Sequence, residues 1–139
     1  MSTTILDIVT PERTVYSRPV EMVILRGAEG DLGILPGHMP LVTTLPIGLV
    51  RIKEEGRWSL VALSGGFLEV RPDRVTVLAE AAELPEEIDV VRAERARERA
   101  ERRLAEKGRP DIDYVRAELA LKRALNRLRA AEEAKVSLR

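Results

Sequence analysis

Glycine and proline divide this chain in two. Seven of the eight prolines and eight of the nine glycines lie before residue 87. Proline removes a backbone donor and glycine interrupts regular elements, so residues 1–86 can hold only short segments separated by turns. Beyond that point the one interruption is GRP at 108–110, and the flanking runs of Ala, Glu, Arg and Leu favour helix. At 139 residues the chain suffices for one domain with a core and a smaller attachment. The expected division is 1–86 and 87–139.

The first segment alternates turn residues with runs rich in Val, Ile, Leu and Thr. Candidate strands are Thr4–Val9, Thr14–Tyr16, Glu21–Arg26, Gly33–Leu35, Leu41–Leu45, Gly48–Lys53, Trp58–Ser64, Gly66–Arg71 and Arg74–Ala79. Their spacing points to antiparallel strands in a β-sandwich or flattened barrel. EEGR at 54–57 suits a hairpin turn, and RPDR at 71–74 places Pro72 and Asp73 at turn positions. GAEGDLG at 27–33 lacks the spacing of a dinucleotide fingerprint and the GKS or GKT of a P-loop, so it reads as a turn.

In the second segment Gly108 can end one helix and Pro110 follows it. Val91, Ala96, Ala100 and Leu104 recur near helical spacing before the turn; Val115, Leu119, Leu121, Ala124, Leu125 and Leu128 do so after it. So short a connection predicts antiparallel packing. The fold class is α+β: an N-terminal antiparallel β-sandwich followed by a C-terminal antiparallel two-helix hairpin.

Composition narrows the functions open to such a chain. Apolar residues at 45% and charged residues at 33% exclude a disordered chain, and no apolar run reaches the ~18 residues of a membrane helix. Direct membrane insertion is therefore not expected. MSTTILDIVTPER has neither the basic leader nor the apolar stretch of a secretory signal. With no cysteine, disulfides and thiolate chemistry are excluded. Lys plus Arg equals Asp plus Glu at 23 each, which gives no overall attraction to nucleic acid. The balance hides an asymmetry: 8 bases and 12 acids in residues 1–86, 15 bases and 11 acids in residues 87–139.

Catalysis is not expected. His38 is the only histidine, no metal-ligand cluster is present, and the paired Glu86 and Glu87 read as solvated linker charge. The hairpin carries more information. IDVVRAE at 88–94 recurs as IDYVRAE at 112–118. Asp89 and Asp113 are each placed to cap a helix by accepting from a free backbone N–H. An Asp to Arg pair at i, i+3, worth ~0.2–0.5 kcal/mol, is the other structural explanation. Arg92, Arg95, Arg99 and Arg103 recur along the first helix, and Arg123 and Arg127 stand one turn apart on the second. They read either as a solvated face offset by Glu94, Glu98 and Glu101, or as guanidinium forks around a multivalent anion. Asp89 can accept from an amino-bearing base, with Ile88 and Ala93 as an apolar edge. An adenine nucleotide fits those demands; guanine presents a carbonyl to the same carboxylate. The second copy is expected to be a helix start only.

GILPGHMPLV at 33–42, SGGFLEVRPDRVTVLAE at 64–80, ERAERRL, and RAELALKRALNRL near the end resemble the epsilon subunits of F-type ATP synthases, in particular those of the thermophilic Bacillus type, along essentially the whole chain. That resemblance implies a sandwich attached to the gamma subunit and c-ring, and a hairpin that extends toward the alpha and beta subunits of the catalytic head to inhibit ATP hydrolysis. In some members the folded hairpin binds ATP through I(L)DxxRA, matched here by Ile88, Asp89, Arg92 and Ala93. Glu83 and Arg99 occupy positions shared with ATP-binding members, and the two arginines of the second helix carry over as Arg123 and Arg127 across a turn, KGRPDID, one residue longer. The expectation is a non-catalytic rotor subunit coupling proton flow to ATP synthesis. It would lie peripherally on the cytoplasmic face of the bacterial cell membrane, with ATP as a regulatory ligand and no obligatory cofactor. Asp31 and His38, in the Pro-Gly segment Glu29–His38, are the expected rotor contacts. The rival is a purely structural coupling subunit in which Asp89 only caps and the arginines meet acidic partner surfaces.

Overall fold

The computed structural model describes residues 2–27, 29–106 and 108–137. Eight strands come first: β1 (Thr4–Val9), β2 (Thr14–Val20), β3 (Met22–Gly27), β4 (Gly30–Ile34), β5 (Leu41–Glu54), β6 (Arg57–Arg71), β7 (Arg74–Ala79) and β8 (Ala82–Glu83). A 3-10 turn at Pro85–Glu87 leads into α1 (Val90–Ala105) and α2 (Tyr114–Ser137). The strand order is β2-β1-β7-β6-β5-β3-β4, with β8 on β6.

β5 and β6 make the sandwich. Each reads as two strands in the sequence but runs unbroken for 14 and 15 residues, paired from Leu41↔Val70 to Glu54↔Arg57. Pro46 and Gly65 drop out of the register between Leu45↔Gly66 and Ile47↔Ser64. Proline cannot donate to the ladder, but the opposing glycines give way: Gly65 and Gly66 hold φ of 95° and 152°. A Cβ at Gly66 would lie 2.1 Å from the Leu78 carbonyl oxygen. The ribbon bends there rather than ending. One half joins β7, β1 and β2, and the other joins β3, β4 and β8. Between the layers Leu6, Ile8, Val23, Leu25, Ile52, Leu68 and Val77 are buried in one core.

The sheet departs from the antiparallel expectation in one place. β1 and β7 are parallel, from Ile5↔Arg74 to Val9↔Leu78. The predicted turns are present: Glu54↔Arg57 closes on Glu55 (φ 51°) and Gly56 (φ 76°), a mirror-type turn that matches strand twist. Arg71↔Arg74 flank Pro72 and Asp73. Gly27↔Gly30 closes β3 on β4, so residues 30–34 are strand and Ile34 is buried, not part of an exposed Pro-Gly loop.

Along β6, Leu60, Val61, Ala62 and Leu63 are all buried. Alternation is lost because both faces are covered. Val61 and Leu63 face the sandwich core, while Leu60 and Ala62 join Leu49, Ile88 and Ala130 in a second cluster. α2 thus lies on the outer face of β5 and β6. The hairpin seam bears out Ala100 and Ala124 of the periodicity reading and departs from it at Val91, Val115, Leu119 and Leu125. Ala93 and Ala100 on α1 and Ala117, Ala124 and Ala130 on α2 are buried, whereas Val91, Val115, Leu119 and Leu125 are exposed. Side chains of one carbon let two helix backbones approach closely, while Leu104, Leu121 and Leu128 are half-buried.

Candidate functional site

Both heptapeptide copies start a helix in the same way. The Asp89 carboxylate accepts from the Arg92 N–H at 3.1 Å, and Asp113 accepts from the Arg116 N–H at 3.0 Å. Ala93 and Ala117 are buried one residue later. The capping role read from sequence is therefore present in each copy, and the difference lies in the surroundings.

The first copy sits at the root of the hairpin, against the sandwich. Ile88 is buried beside Ala130, Leu49 and Leu60. Glu83, on β8, accepts from Arg127 Nε at 2.5 Å, which joins two of the anticipated site residues to each other. The neighbouring Glu87 takes Arg13 NH2 at 2.8 Å on each oxygen and the Leu84 N–H at 2.9 Å. The Arg13 bond, then the backbone bond, hold the Glu87 carboxyl below its ordinary value of 4.5. Asp89 and Arg92 are exposed and Arg123 is half-buried. Arg99 lies seven residues beyond Arg92, about 10 Å along the helix, and lines a cavity at the far end of the hairpin.

Polar contacts that the sequence reading missed tie α2 down. Asn126 Nδ2 donates to the carbonyls of Gly48 and Leu63 at 2.9 and 3.1 Å. Arg51 donates to Glu133 at 2.5 and 3.3 Å, and Arg129 Nε donates to the same carboxylate at 3.0 Å. The Arg51 bond leads in lowering the Glu133 pKa, against burial. Of these, only the spacing of Arg129 and Glu133 left a local trace in the sequence.

Two concavities flank the hairpin. One, of about 520 Å³, lies at its root between Tyr16, Trp58, Leu60, Leu84, Pro85 and Ala134. The other, of about 680 Å³, lies at its tip and is rich in arginine. No group of three or more metal-binding side chains occurs among the described residues, and no helix among them is long and apolar enough to cross a membrane.

The two anticipated rotor contacts lie apart from this region. Asp31 accepts from Arg26 Nε at 3.3 Å, both side chains being exposed. His38 is half-buried, and its Nδ1–H donates to the Met39 carbonyl at 2.8 Å. Near it in sequence Leu35 and Met39 are 56% and 78% exposed, as are Val42 (74%), Phe67 (57%) and Leu78 (52%) on the strands. Phe67 pairs with both Thr44 and Leu78, which sets them in one row across the sheet. The sequence reading did not single out this apolar face; the positions of Phe67 and Leu78, out of phase with Leu68, Val75 and Val77, were the available signal.

Two family models cover the chain: ATP synthase delta/epsilon chain, beta-sandwich domain, over residues 3–85, and ATP synthase delta/epsilon chain, long alpha-helix domain, over residues 86–132. An ATP synthase epsilon chain of Brevibacillus brevis is 61% identical over 108 residues, spanning 77% of this chain and 82% of the relative. One from Bacillus subtilis is 58% identical over 104 residues, 75% and 79% of the two chains. Among solved structures, a chain of the Euglena gracilis mitochondrial ATP synthase OSCP/F1/c-ring assembly matches 98% of this chain and 82% of its own length, with a TM-score of 0.78 at 25% identity.

Proposed function

The chain belongs to the ATP synthase epsilon family, and on that basis we propose that it is a non-catalytic central-stalk subunit whose sandwich attaches to the rotor and whose hairpin senses ATP. The observation that carries this reading is the construction of the hairpin. It is closed by alanines and held to the sandwich by one small apolar cluster and a few polar contacts, so it can leave without opening the sandwich core.

In the rotor half, the apolar row through Phe67 and Leu78, with Val42 two residues along β5 from its Thr44 member, offers the gamma subunit and c-ring a surface too apolar to favour solvent. Asp31 and His38 stand on the same domain as polar contacts. In the sensing half, Asp89 would accept from the adenine amino group, with Ile88 and Ala93 next to it in the motif but buried, while Arg92, Arg123 and Arg127 would receive the phosphates and Arg99, about 10 Å along the helix and shared with the tip cavity, would reach only the far end of the phosphate chain. Arg127 is paired with Glu83 in the present arrangement, so a phosphate must take that guanidinium from the carboxylate. ATP that touches arginines of both helices favours the packed hairpin, because a ligand shifts an equilibrium only by its differential affinity. At one hundred times the dissociation constant the bias is ~2.7 kcal/mol. When ATP is scarce the hairpin would extend toward the alpha and beta subunits and block hydrolysis, at the cytoplasmic face of the membrane.

The chain has no cysteine, so dyes can be placed at Ser2→Cys and Glu132→Cys in the assembled synthase. Energy transfer should rise with ATP while hydrolysis is released, and Arg92→Ala should remove both responses. An active complex whose signal ignores ATP would leave the purely structural coupling subunit as the reading.

A further inference from the structure

We propose that the tip of the hairpin is a second anion site, built from the second IDxxRA copy and the arginines at the end of α1, and that it takes a tripolyphosphate chain, either free or carried by a nucleoside. The sequence alone reads this copy as a helix start. The folded hairpin places it in the wall of a cavity of about 680 Å³, within the range of small-ligand sites.

Charge pairing within that wall is uneven. Among the described residues, five arginines and three carboxylates line it. Arg109 occupies two of the acids, donating to Asp111 at 3.1 and 3.0 Å and to Glu106 at 3.2 Å. The third, Asp113, accepts from the Arg116 N–H. Among the described residues Arg102 reaches only the Glu98 carbonyl, at 3.4 Å. Arg99, Arg103 and Arg116 have no carboxylate partner among the described residues. Guanidinium forks gathered around open space without counter-charges suit a multivalent phosphate, which they bind in bidentate fashion.

A simpler account covers part of this cluster. Arg102 and Arg103 lie in the last turn of α1, where a cation complements the helix dipole. That does not explain Arg99, which precedes the last turn, or Arg116, which stands in the first turn of α2. There the dipole disfavours a cation. The wall is also held in shape. The Tyr114 hydroxyl donates to the Glu106 carbonyl and accepts from the Arg109 N–H, clamping the end of α1 to the turn. Ile112 and Ala117 are the apolar residues of the lining, so phosphate charge rather than base shape would be recognised.

The test is calorimetric titration of the full chain at low salt with sodium tripolyphosphate, ATP and adenosine, using the Arg92→Gln protein to remove the site proposed at the root. Tripolyphosphate and ATP should both still bind, and adenosine should not. Arg103→Gln or Arg116→Gln added to that background should weaken both by about tenfold or more, with Arg103→Lys retaining part of the binding and circular dichroism reporting an intact hairpin. Tripolyphosphate binding that is absent, or unchanged in Arg103→Gln and Arg116→Gln, would overturn the proposal, as would ATP binding that tripolyphosphate does not reproduce. Because every arm carries Arg92→Gln, failure of the root site leaves this result intact.

Discussion

The sandwich and the hairpin are held together by side chains of different size. Between the sheet layers the fully buried residues are Leu, Ile and Val, each contributing about 1.5–3 kcal/mol on burial. In the hairpin the buried seam is alanine, at about 0.8 kcal/mol per buried carbon. A strand ladder with a branched aliphatic core therefore stands beside a helix pair that cannot be stable by apolar burial alone. The difference teaches that the hairpin depends on what it lies against: Leu49, Leu60 and Ala62 on the outer face of β5 and β6.

Residues on the two sides of β6, one in the sandwich core and one on the docked helix, give the sharpest way to break that comparison. Leu63→Ala, on the inner face of β6, should cost the sandwich about 2–5 kcal/mol and lower the main melting transition. Ala130→Glu would place a carboxylate in a fully buried position between Leu49, Leu60 and Ile88, a cost of several kcal/mol borne by docking alone. The hairpin should then become susceptible to limited proteolysis while amide protection in β1, β6 and β7 is unchanged. A melting transition lowered as far by Ala130→Glu as by Leu63→Ala would mean the two regions unfold as one.

Asn126→Ala comes next. It leaves two carbonyls of β5 and β6 without their donor and should loosen docking by about 1–2 kcal/mol, read as faster amide exchange along α2. Asp89→Ala and Asp113→Ala should each cost about 1 kcal/mol of helix stability. Equal loss of helicity in the two variants, with adenine-dependent ATP binding lost only at Asp89, would separate the shared capping role from the proposed ligand. The smallest effect is electrostatic. Arg51 and Arg13 depress the Glu133 and Glu87 carboxyls below their ordinary value of 4.5. Their contribution to docking is present above that pH and is lost as pH falls through the lowered values in the docked state. Both pairs are partly exposed, so 1 M salt should reduce the effect at neutral pH.

What could be read in the sequence follows how local its causes are. β1 and β7 begin and end where their runs do, and the turns at Glu55–Gly56 and Pro72–Asp73 follow from their own residues. The continuity of β5 through Pro46 was not legible, because it depends on Gly65 and Gly66 of the opposing strand. The parallel pairing of β1 with β7 joins segments about seventy residues apart in sequence. The alanine seam lay inside the same periodicity that highlighted the leucines, and only the second helix decides which residues are enclosed. In the candidate site both caps were legible, each from its own heptapeptide. The Glu83–Arg127 contact and the tip cavity required the chain to fold back first.

The pairing of β1 with β7 also sets an order of events as the chain is made. The first strand finds its hairpin partner β2 at once, but its other edge must wait until residues 74–79 have emerged. Until then the unpaired edge of β1 is open to other strands, and non-local pairing of this kind is slow. The outer face of β6 is complete only after that closure, and α2 follows the whole sandwich in the chain. The hairpin therefore arrives at a surface already built, and its arrival or departure need not retrace the folding of the domain beneath it.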